Sequence, residues 1–355
     1  MKKDEMRNPD AVNPSLEGSR ATFTWEGAAA PVLMGDFNNW EIESARPLEP
    51  VGKGRWQVSL DFPADTYMEY IFILDGQRVM DPKNPHKVNN GTGSWNNYFY
   101  MPEAAPSPFT RRRSRAGELM RFRLEDEIRL LNLRREVVLY QPAAPGPYPL
   151  LVVYDGTDYL HRGAITQVVD NLVAAGRIRP VALALVANAG PARFVEYACN
   201  DSTVSFITNK VVPLAQEHMP LIDVQTHPGA YGILGASMGG LMALYTGLRN
   251  PRMFGSVLCQ AGAFCMFEED FSIFDLIDRP EIPPIRVWMD VGRFDFLYAD
   301  NLRMWNLLRQ KGYAIDYHET HTGHNYTAWR NDMPAGLEYL YPPLNQTLMN
   351  TSEEK

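Results

Sequence analysis

Hydrophobic and polar positions alternate in short runs between residues 20 and 101, and glycine-rich or acidic turns separate these runs. Residues 56–60 (WQVSL) and 67–74 (YMEYIFIL) are two such runs, with turn signals at 52–54 (GKG) and 75–76 (DG). Short runs with a period of two, bounded by turns, are typical of antiparallel strands. The pattern predicts a small all-β sandwich of immunoglobulin-like type over residues 20–102.

From residue 118 onward the pattern is different, because short apolar runs alternate with stretches of helical periodicity. An antiparallel strand pair is predicted at 120–124 and 135–140, and further strands at 150–154, 181–187, 231–234, 256–259, 285–291 and 314–318. Such alternation predicts a doubly wound, mostly parallel sheet whose site lies at the carboxyl ends of its strands. We therefore expect an α/β domain over residues 118–341.

The remaining segments lack either pattern. Residues 1–19 are polar and are predicted to be a disordered tail, as are residues 342–355. Residues 103–117 combine prolines with the basic cluster 111–115 (RRRSR), which favours a linker whose charges are solvated. The prediction is therefore two domains joined by a short linker.

Composition excludes several classes of protein. The net charge of -8 argues against a nucleic-acid partner. The start of the chain has no apolar signal region, and the apolar run at 181–187 has the length of a strand, so we expect a cytoplasmic protein that spans no membrane. The three cysteines form no CxxC pair and favour free thiols in a reducing compartment. The composition leaves open whether the protein forms a homo-oligomer.

The candidate chemistry begins at residues 235–240 (GASMGG), which stand between an apolar strand and a helical run. A G-x-S-x-G turn between strand and helix exposes its serine as a nucleophile and needs small residues around it. Ser237 is therefore the candidate nucleophile for acyl transfer. The alternative is a glycine-rich connection that contains a serine by chance.

A serine nucleophile needs a base, and an acid that orients the base. His318, His321 and His324 are the histidines that follow Ser237, and His324 stands on a loop after the last predicted strand. Their spacing suggests a metal site, but positions three apart on a strand face opposite sides, so no metal is expected. His324 is the favoured base.

Three aspartates are candidates for the acid. Asp295 follows the carboxyl end of a strand, whereas Asp290 lies within that strand and Asp300 begins the next helix. Asp295 is favoured and Asp300 is the main rival. The oxyanion of the transition state needs two backbone N–H donors. We expect one from Met238, after the nucleophile, and the other from Thr157, or else from Gly156, after the first parallel strand.

The segment 119–341 resembles the esterase D type of α/β-hydrolase, and in particular the enterochelin esterases. The motifs that carry this resemblance are 153–156 (VYDG), 193–197 (RFVEY), 235–240, 290–295 (DVGRFD), 323–325 (GHN) and the tryptophan at 329. The resemblance implies that Asp155, Gly156, Arg193 and Glu196 stand near the substrate pocket. Arg193 and Glu196 have the alternative of a buried pair that braces a loop. Phe264, with Phe267 and Phe271, is a candidate for the acyl pocket or for the core.

The N-terminal segment resembles the glycogen-binding modules of isoamylase and of the AMP-activated kinase β-subunit. The resemblance rests on 35–40 (GDFNNW), 70–77 (YIFILDGQ) and 81–82 (DP). Trp40 and Asn96 or Asn97 match sugar-binding positions, but Arg78 and Ile71 replace a tryptophan and a lysine. A platform that lacks half its ring area loses stacking energy, so a weak glycan contact through Trp40 ranks below a packing role.

These observations predict a serine carboxylic-ester hydrolase that acts through an acyl-enzyme on a small-molecule ester and needs no cofactor. The resemblance implies a siderophore ester of the enterochelin type. Hydrolysis of feruloyl or acetyl-xylan esters, and acyl transfer, are alternatives that use the same residues. A glycan-binding protein with a silent hydrolase domain is the alternative from another class.

Overall fold

The computed structural model describes residues 12–111, 117–125, 134–266 and 269–344. These residues form two compact units, which we describe separately. The sandwich unit contains the described residues up to Ala105 together with two later segments, Gly292–Phe296 and Thr320–Asn325. The sheet unit contains Pro106–Val291, Leu297–Glu319 and the described residues from Tyr326 onward.

The sandwich unit is built from ten strands in two sheets. In chain order these are β1 (Ser15–Glu17), β2 (Arg20–Glu26), β3 (Val32–Gly35), β4 (Arg46–Pro47), β5 (Glu49–Gly52), β6 (Arg55–Asp61), β7 (Tyr67–Leu74), β8 (Gln77–Val79), β9 (Lys87–Asn89) and β10 (Trp95–Tyr100). One sheet has the order β1-β2-β6-β5, and the other has β4-β3-β7-β10-β9 with β8 on β7. The pairs are antiparallel, as expected from the period-two pattern.

Aromatic rings hold the two sheets of the sandwich together. Phe23 contacts Tyr70 and Phe99 edge to face, with ring centroids 4.9 and 5.6 Å apart. All three side chains are buried, and such pairs add stability beyond the area that they bury. The inward positions of the predicted strands therefore form the core of this unit.

The N-terminal tail predicted over residues 1–19 is too long. Strand β1 pairs with β2, and the side chain of Asn13 is buried, donating hydrogen bonds to Asp81 at 2.5 Å and to the Thr24 carbonyl at 3.0 Å. An exposed three-residue strand has too few positions to show alternation, which explains why the pattern missed it. Residues 1–11 lie outside the described part of the chain.

The sheet unit contains ten strands and nine helices within its described residues. The strands are β11 (Glu118–Glu125), β12 (Arg134–Gln141), β13 (Leu150–Val153), β14 (Ala182–Val186), β15 (Tyr231–Ala236), β16 (Phe254–Gln260), β17 (Cys265–Met266), β18 (Glu269–Asp270), β19 (Arg286–Gly292) and β20 (Ala314–Thr320). The helices are α1 (Gly156–His161), α2 (Ile165–Ala174), α3 (Arg193–Tyr197), α4 (Asp201–Phe206), α5 (Val212–His218), α6 (Met238–Arg249), α7 (Ile273–Ile277), α8 (Tyr298–Lys311) and α9 (Tyr326–Leu340). A π-helical stretch, Ile207–Val211, joins α4 and α5.

Eight of these strands form one sheet with the order β11-β12-β14-β13-β15-β16-β19-β20. Strands β11, β12 and β14 pair antiparallel, and the pairs from β14 through β13, β15 and β16 to β19 are parallel. The chain leaves β13 toward β14 on one side and leaves β15 toward β16 on the other. These two neighbours therefore form the topological switch point where open α/β sheets place their sites.

Both faces of the sheet are covered, as a doubly wound fold requires. Leu150 and Val152 of β13 enter one buried cluster, and the alternate residues Leu151 and Val153 enter another. Because successive side chains of a strand point to opposite faces, two separate cores lie on the two sides. The predicted fold class, an α/β-hydrolase preceded by an all-β sandwich, is confirmed.

Part of the predicted linker is packed rather than extended. Pro108–Thr110 form a 3-10 turn, and helix α2 holds the turn because Gln167 donates to the Thr110 carbonyl at 2.6 Å and Asn171 donates to the Phe109 carbonyl at 2.6 Å. Phe109 also packs against the buried cluster of that face. Residues 112–116, which include all of the basic cluster except its first arginine, and residues 345–355 of the C-terminal tail lie outside the described residues.

Candidate active site

Ser237 occupies a strained turn between β15 and α6. Its backbone has φ 58° and ψ −125°, a conformation that L-residues seldom adopt and that tertiary packing must enforce. Glycines make the turn sterically possible: a Cβ on Gly235 would overlap the Gly239 carbonyl, and a Cβ on Gly240 would lie 3.1 Å from the Cys259 sulfur. The Ser237 N–H donates to the Gln260 carbonyl on the neighbouring strand at 2.9 Å. The half-buried side chain is thus held at the carboxyl end of β15.

The two candidate oxyanion donors follow adjacent strands. Met238 is the first residue of α6, and Thr157 is the second residue of α1, which follows β13. Backbone N–H groups in the first turn of a helix have no carbonyl partner within that helix, and the helix dipole favours negative charge there. Strands β13 and β15 are neighbours, so both helices begin at the switch point.

Asp155 shapes the turn that leads to Thr157. Its backbone is left-handed, with φ 52°, and Gly156 has no room for a side chain because a Cβ would overlap the backbone of Leu185. The buried Asp155 carboxylate accepts two hydrogen bonds from Arg193, at 2.6 and 2.7 Å, and one from Asn188 at 2.7 Å. Burial alone would lower the pKa of Arg193, but the bonds and charge of Asp155 raise it.

Arg193 and Glu196 each pair with a different residue. Glu196 forms a buried ion pair with Arg135 at 2.8 Å, both side chains being less than 5% exposed, and accepts the Ala189 N–H at 2.8 Å. Burial raises the pKa of Glu196. Arg193 and Glu196 therefore do not form the pair that the alternative supposed: Glu196 pairs with Arg135, and Arg193, whose side chain is about a third exposed, pairs with Asp155.

The aromatic group after β16 belongs largely to the core. Phe264 has no exposed surface and packs with the residues of one buried cluster. Phe271 packs partly against the same cluster, and Phe267 lies outside the described residues. Of the two roles considered for Phe264, acyl pocket or core, its position in this structure is that of a core residue.

Asp295 and His324 are brought together within the sandwich unit. The His324 Nδ1 lies 2.8 Å from the Asp295 Oδ2, and the Asp295 side chain has no exposed surface. Two backbone hydrogen bonds join their loops, because the Arg293 N–H donates to the Thr320 carbonyl at 2.7 Å and the Phe294 N–H donates to the Thr322 carbonyl at 3.0 Å. A buried carboxylate on Nδ1 fixes the imidazole so that Nε2 can act as base.

The other two histidines have carboxylates of their own. His318 Nδ1 lies 2.6 Å from Asp332, and His321 Nδ1 lies 2.7 Å from Asp65. The Asp332 hydrogen bond raises the pKa of His318. Across residues 12–111, 117–125, 134–266 and 269–344, no three His, Cys, Asp or Glu side chains form a cluster that could hold a metal ion.

The rival acids have other surroundings. Asp290 is buried inside β19, where Gln260 donates to its carboxylate at 2.7 Å, and burial together with the charge of Asp332 raises its pKa well above the ordinary value. Asp300 stands in the first turn of α8, where an acidic residue complements the helix dipole.

The residues on either side of the candidate base contact Asp36, a residue that the sequence analysis did not connect with the site. Asn325, which follows His324, donates from Nδ2 to the Asp36 carboxylate at 3.3 Å, and Gly323, which precedes it, packs directly on the same carboxyl group. Asp36 is buried, and burial together with the Glu69 charge raises its pKa well above the ordinary value. The motif at 35–40 contains Asp36, but its resemblance to sugar-binding modules suggested a glycan contact and not a contact near His324.

Several positions that match a sugar platform have partners within the sandwich. The Arg78 guanidinium lies 5.5 Å from the Trp40 ring centroid and donates to Asn96 at 2.7 Å, and Asn96 donates to Glu69 at 2.7 Å. Asn97 is buried among backbone partners, and Ile71 is buried in the core. Glycan contact through Trp40 stays a prediction.

The strained serine turn on a mostly parallel eight-stranded sheet, after an all-β sandwich, defines an α/β-hydrolase with an N-terminal module. Residues 129–340 match the family described as "Putative esterase", and residues 19–106 match the glycogen recognition site of AMP-activated protein kinase. The chain belongs to this esterase family and is a carboxylic ester hydrolase. Both resemblances inferred from the sequence are confirmed.

Two curated relatives are named as iron(III) enterobactin esterases. The chain is 27% identical over 231 residues to the iron(III) enterobactin esterase of Dickeya dadantii, covering 59% of this chain and 52% of that protein. It is 24% identical over 278 residues to the iron(III) enterobactin esterase of Escherichia coli K12, covering 76% and 68%. The alignments thus span about half the length of the first relative and about two thirds of the second.

Solved structures agree on the fold. The enterobactin esterase of Shigella flexneri, solved in the presence of enterobactin, matches with TM-score 0.77 and 19% identity over 90% of this chain and 92% of that one. A ferulic acid esterase matches with TM-score 0.54 and 18% identity over 64% of this chain and 98% of its own. Within the described part of this chain, no helix is long and apolar enough to cross a bilayer.

Proposed function

We propose that the chain hydrolyses carboxylic esters through an acyl-enzyme on Ser237, with His324 as base and Asp295 as the acid that orients it. The observation that carries the proposal is the 2.8 Å bond from His324 to a fully buried Asp295, in a chain whose serine stands in a strained elbow. Ser237 follows β15, Asp295 follows β19 and His324 follows β20. This is the order in which α/β-hydrolases carry nucleophile, acid and base.

In this mechanism His324 Nε2 takes the proton of the Ser237 hydroxyl as Oγ attacks the ester carbonyl. The tetrahedral oxyanion accepts hydrogen bonds from the Met238 and Thr157 N–H groups. His324 returns the proton to the leaving alcohol, and then activates the water that releases the acid. Asp155 and Arg193 contribute indirectly to the oxyanion site, because their paired hydrogen bonds hold the turn that leads into α1, where Thr157 lies.

The test of the mechanism is turnover of p-nitrophenyl acetate by Ser237→Ala and His324→Ala. In a serine protease, loss of either residue costs about 10⁶-fold in kcat, and we expect losses of about that order here. Ser205→Ala, at an exposed serine of α4, is the matched control and should keep full activity. A fluorophosphonate should label Ser237 in the wild type, as mass spectrometry would show. Undiminished turnover by Ser237→Ala would refute the proposal.

For the substrate we propose a siderophore-type ester related to enterobactin. The likeness to enterobactin esterases extends over the sandwich as well as the sheet, whereas the likeness to a ferulic acid esterase extends over 64% of this chain. Comparison of kcat/KM for enterobactin, methyl ferulate, acetylated xylan and p-nitrophenyl butyrate tests this choice, with enterobactin expected to be preferred. Preference for the feruloyl or acetyl ester would favour a sugar-ester hydrolase instead, and transfer to an added alcohol without hydrolysis would favour an acyltransferase.

A further inference from the structure

Residues of the sandwich strands and of the turns between them contact both loops that carry the candidate acid and base. Phe294, next to Asp295, packs against Phe62 with ring centroids 6.0 Å apart, and it borders the aromatic core of the sandwich. On the other loop, the His321 carbonyl accepts the Tyr67 N–H at 3.2 Å. Each loop therefore has a residue that contacts the sandwich close to its proposed catalytic residue.

The contact nearest to His324 is the carboxyl group of Asp36. This buried group accepts hydrogen bonds from the Trp40 indole at 3.0 Å, from the Glu69 backbone at 2.9 Å and from the Asn325 side chain at 3.3 Å. Strand β7 and the turn after β3 thus fix the carboxyl group, and the carboxyl group in turn fixes Asn325. Three donors on one buried acid make a rigid support.

Gly323 supplies the second contact, on the other side of His324. A Cβ built on Gly323 would overlap the side chain of Asp36, so the loop backbone lies directly on this acid. The backbone of Gly323 does not have a positive φ, so an alanine at this position would be disfavoured by the steric overlap and not by its backbone conformation. Both neighbours of His324 in the chain therefore rest on Asp36.

We propose that Asp36 is a positioning residue for His324, so that the sandwich serves as part of the esterase site. The inference rests on the proposed role of His324 as base. The imidazole is held at Nδ1 by Asp295, while Asp36 fixes the backbone from which the ring extends. Catalytic groups keep productive geometry when a surrounding layer of residues locks them, and a misplacement of about 1 Å can cost about 100-fold in rate.

The test compares Asp36→Ala, Asp36→Asn and Gly323→Ala with wild type on p-nitrophenyl acetate. We expect Asp36→Ala and Gly323→Ala to lower kcat about 100-fold with KM changed less than about 3-fold. Asparagine can place its oxygen where the Asp36 Oδ2 accepts from Glu69 and Asn325, and it loses only the bond from the Trp40 indole, because its amide nitrogen cannot accept a hydrogen bond. Asp36→Asn should therefore recover at least about a tenth of wild-type kcat. Glu43→Gln removes an exposed carboxylate from the same region and should change neither constant.

A spectroscopic readout separates positioning from general stability. The proton shared by His324 Nδ1 and Asp295 should give a downfield ¹H NMR signal in wild type, which His324→Ala removes. In Asp36→Ala the signal should broaden or shift at a temperature well below the midpoint of thermal unfolding. If Asp36→Ala does not fold, Asn325→Ala removes one of the donors to Asp36 and should show a smaller loss of kcat.

The outcomes distinguish this inference from the proposed function. Wild-type kcat and an unchanged downfield signal in Asp36→Ala and Asn325→Ala, beside an inactive His324→Ala, would overturn the positioning role alone. Full activity in Ser237→Ala and His324→Ala would overturn the proposed function itself. Equal loss in Asp36→Ala and Asp36→Asn, with KM rising as much as kcat falls, would also contradict positioning through these hydrogen bonds.

Discussion

Replacing Asp295 by asparagine gives the sharpest test of the candidate acid. The change keeps the shape of a fully buried side chain whose Oδ2 lies 2.8 Å from His324 Nδ1. An amide nitrogen there can donate to Nδ1 and so stabilise the tautomer with hydrogen on Nε2, which cannot accept the serine proton. The equivalent change in a serine protease lowers kcat about 10⁴-fold, which corresponds to about 5.4 kcal/mol of transition-state stabilisation.

The assay is kcat for p-nitrophenyl acetate, together with thermal unfolding to show that the variant folds. Asp300→Asn is the matched control, because it alters the rival acid in the first turn of α8. That change should leave kcat within about 2-fold and cost at most about 1 kcal/mol of stability, since it removes one favourable interaction with the helix dipole. The assignment is refuted if Asp300→Asn is the inactive variant, or if folded Asp295→Asn keeps more than about a tenth of the activity.

Two further predictions concern the sheet unit. Gly235→Ala places a Cβ over the Gly239 carbonyl, so it should destabilise the protein by about 1 to 3 kcal/mol in urea unfolding. It should also reduce fluorophosphonate labelling of Ser237. Unchanged stability and unchanged labelling would contradict the packing of this turn. His318→Gln tests a pH effect: because Asp332 raises the folded-state pKa of His318, its stabilisation is present below about pH 6.5 and is lost as pH rises through the folded pKa. His318→Gln should therefore lower the free energy of unfolding more at pH 6 than at pH 9. The difference should be small because the side chain is 49% exposed. An equal loss at both pH values would contradict the link between His318 protonation and stability.

The parts of the site that the sequence could predict are those with a local backbone signature. Ser237 stands between a strand and a helix with glycines at the spacing a tight turn needs, and these features are visible within ten residues. Asp295 and His324 could be chosen because parallel strands end at one edge of a sheet, so residues just after the strands are candidates. The sequence favours Asp295 but leaves Asp300 as a rival, because both positions follow β19 within a few residues.

The contacts of Asp36 could not be predicted in this way. Asp36 and Asn325 are 289 positions apart in the chain, and neither lies in a periodic element that fixes what it touches. The partners of Arg193 and Glu196 were hidden for a similar reason: the two residues are three apart on one helix, which suggests a mutual pair, yet tertiary packing brings Asp155 to one and Arg135 to the other. Long-range polar pairing depends on the assembled fold, which local pattern does not encode.

The contacts around Trp40 bear on what the sandwich does in this chain. A sugar ring that stacks on Trp40 has to compete with the Arg78 guanidinium, 5.5 Å from the ring centroid and bonded to Asn96. The indole N–H of the same tryptophan donates to Asp36, the acid on which both neighbours of His324 rest. Trp40, Arg78 and Asn96 of the matching positions therefore contact a network that ends at Asn325, the residue after the proposed catalytic base. If Asp36 positions His324 as we propose, the sandwich contributes to ester hydrolysis through the position of one loop, and this contribution requires no contact with a glycan.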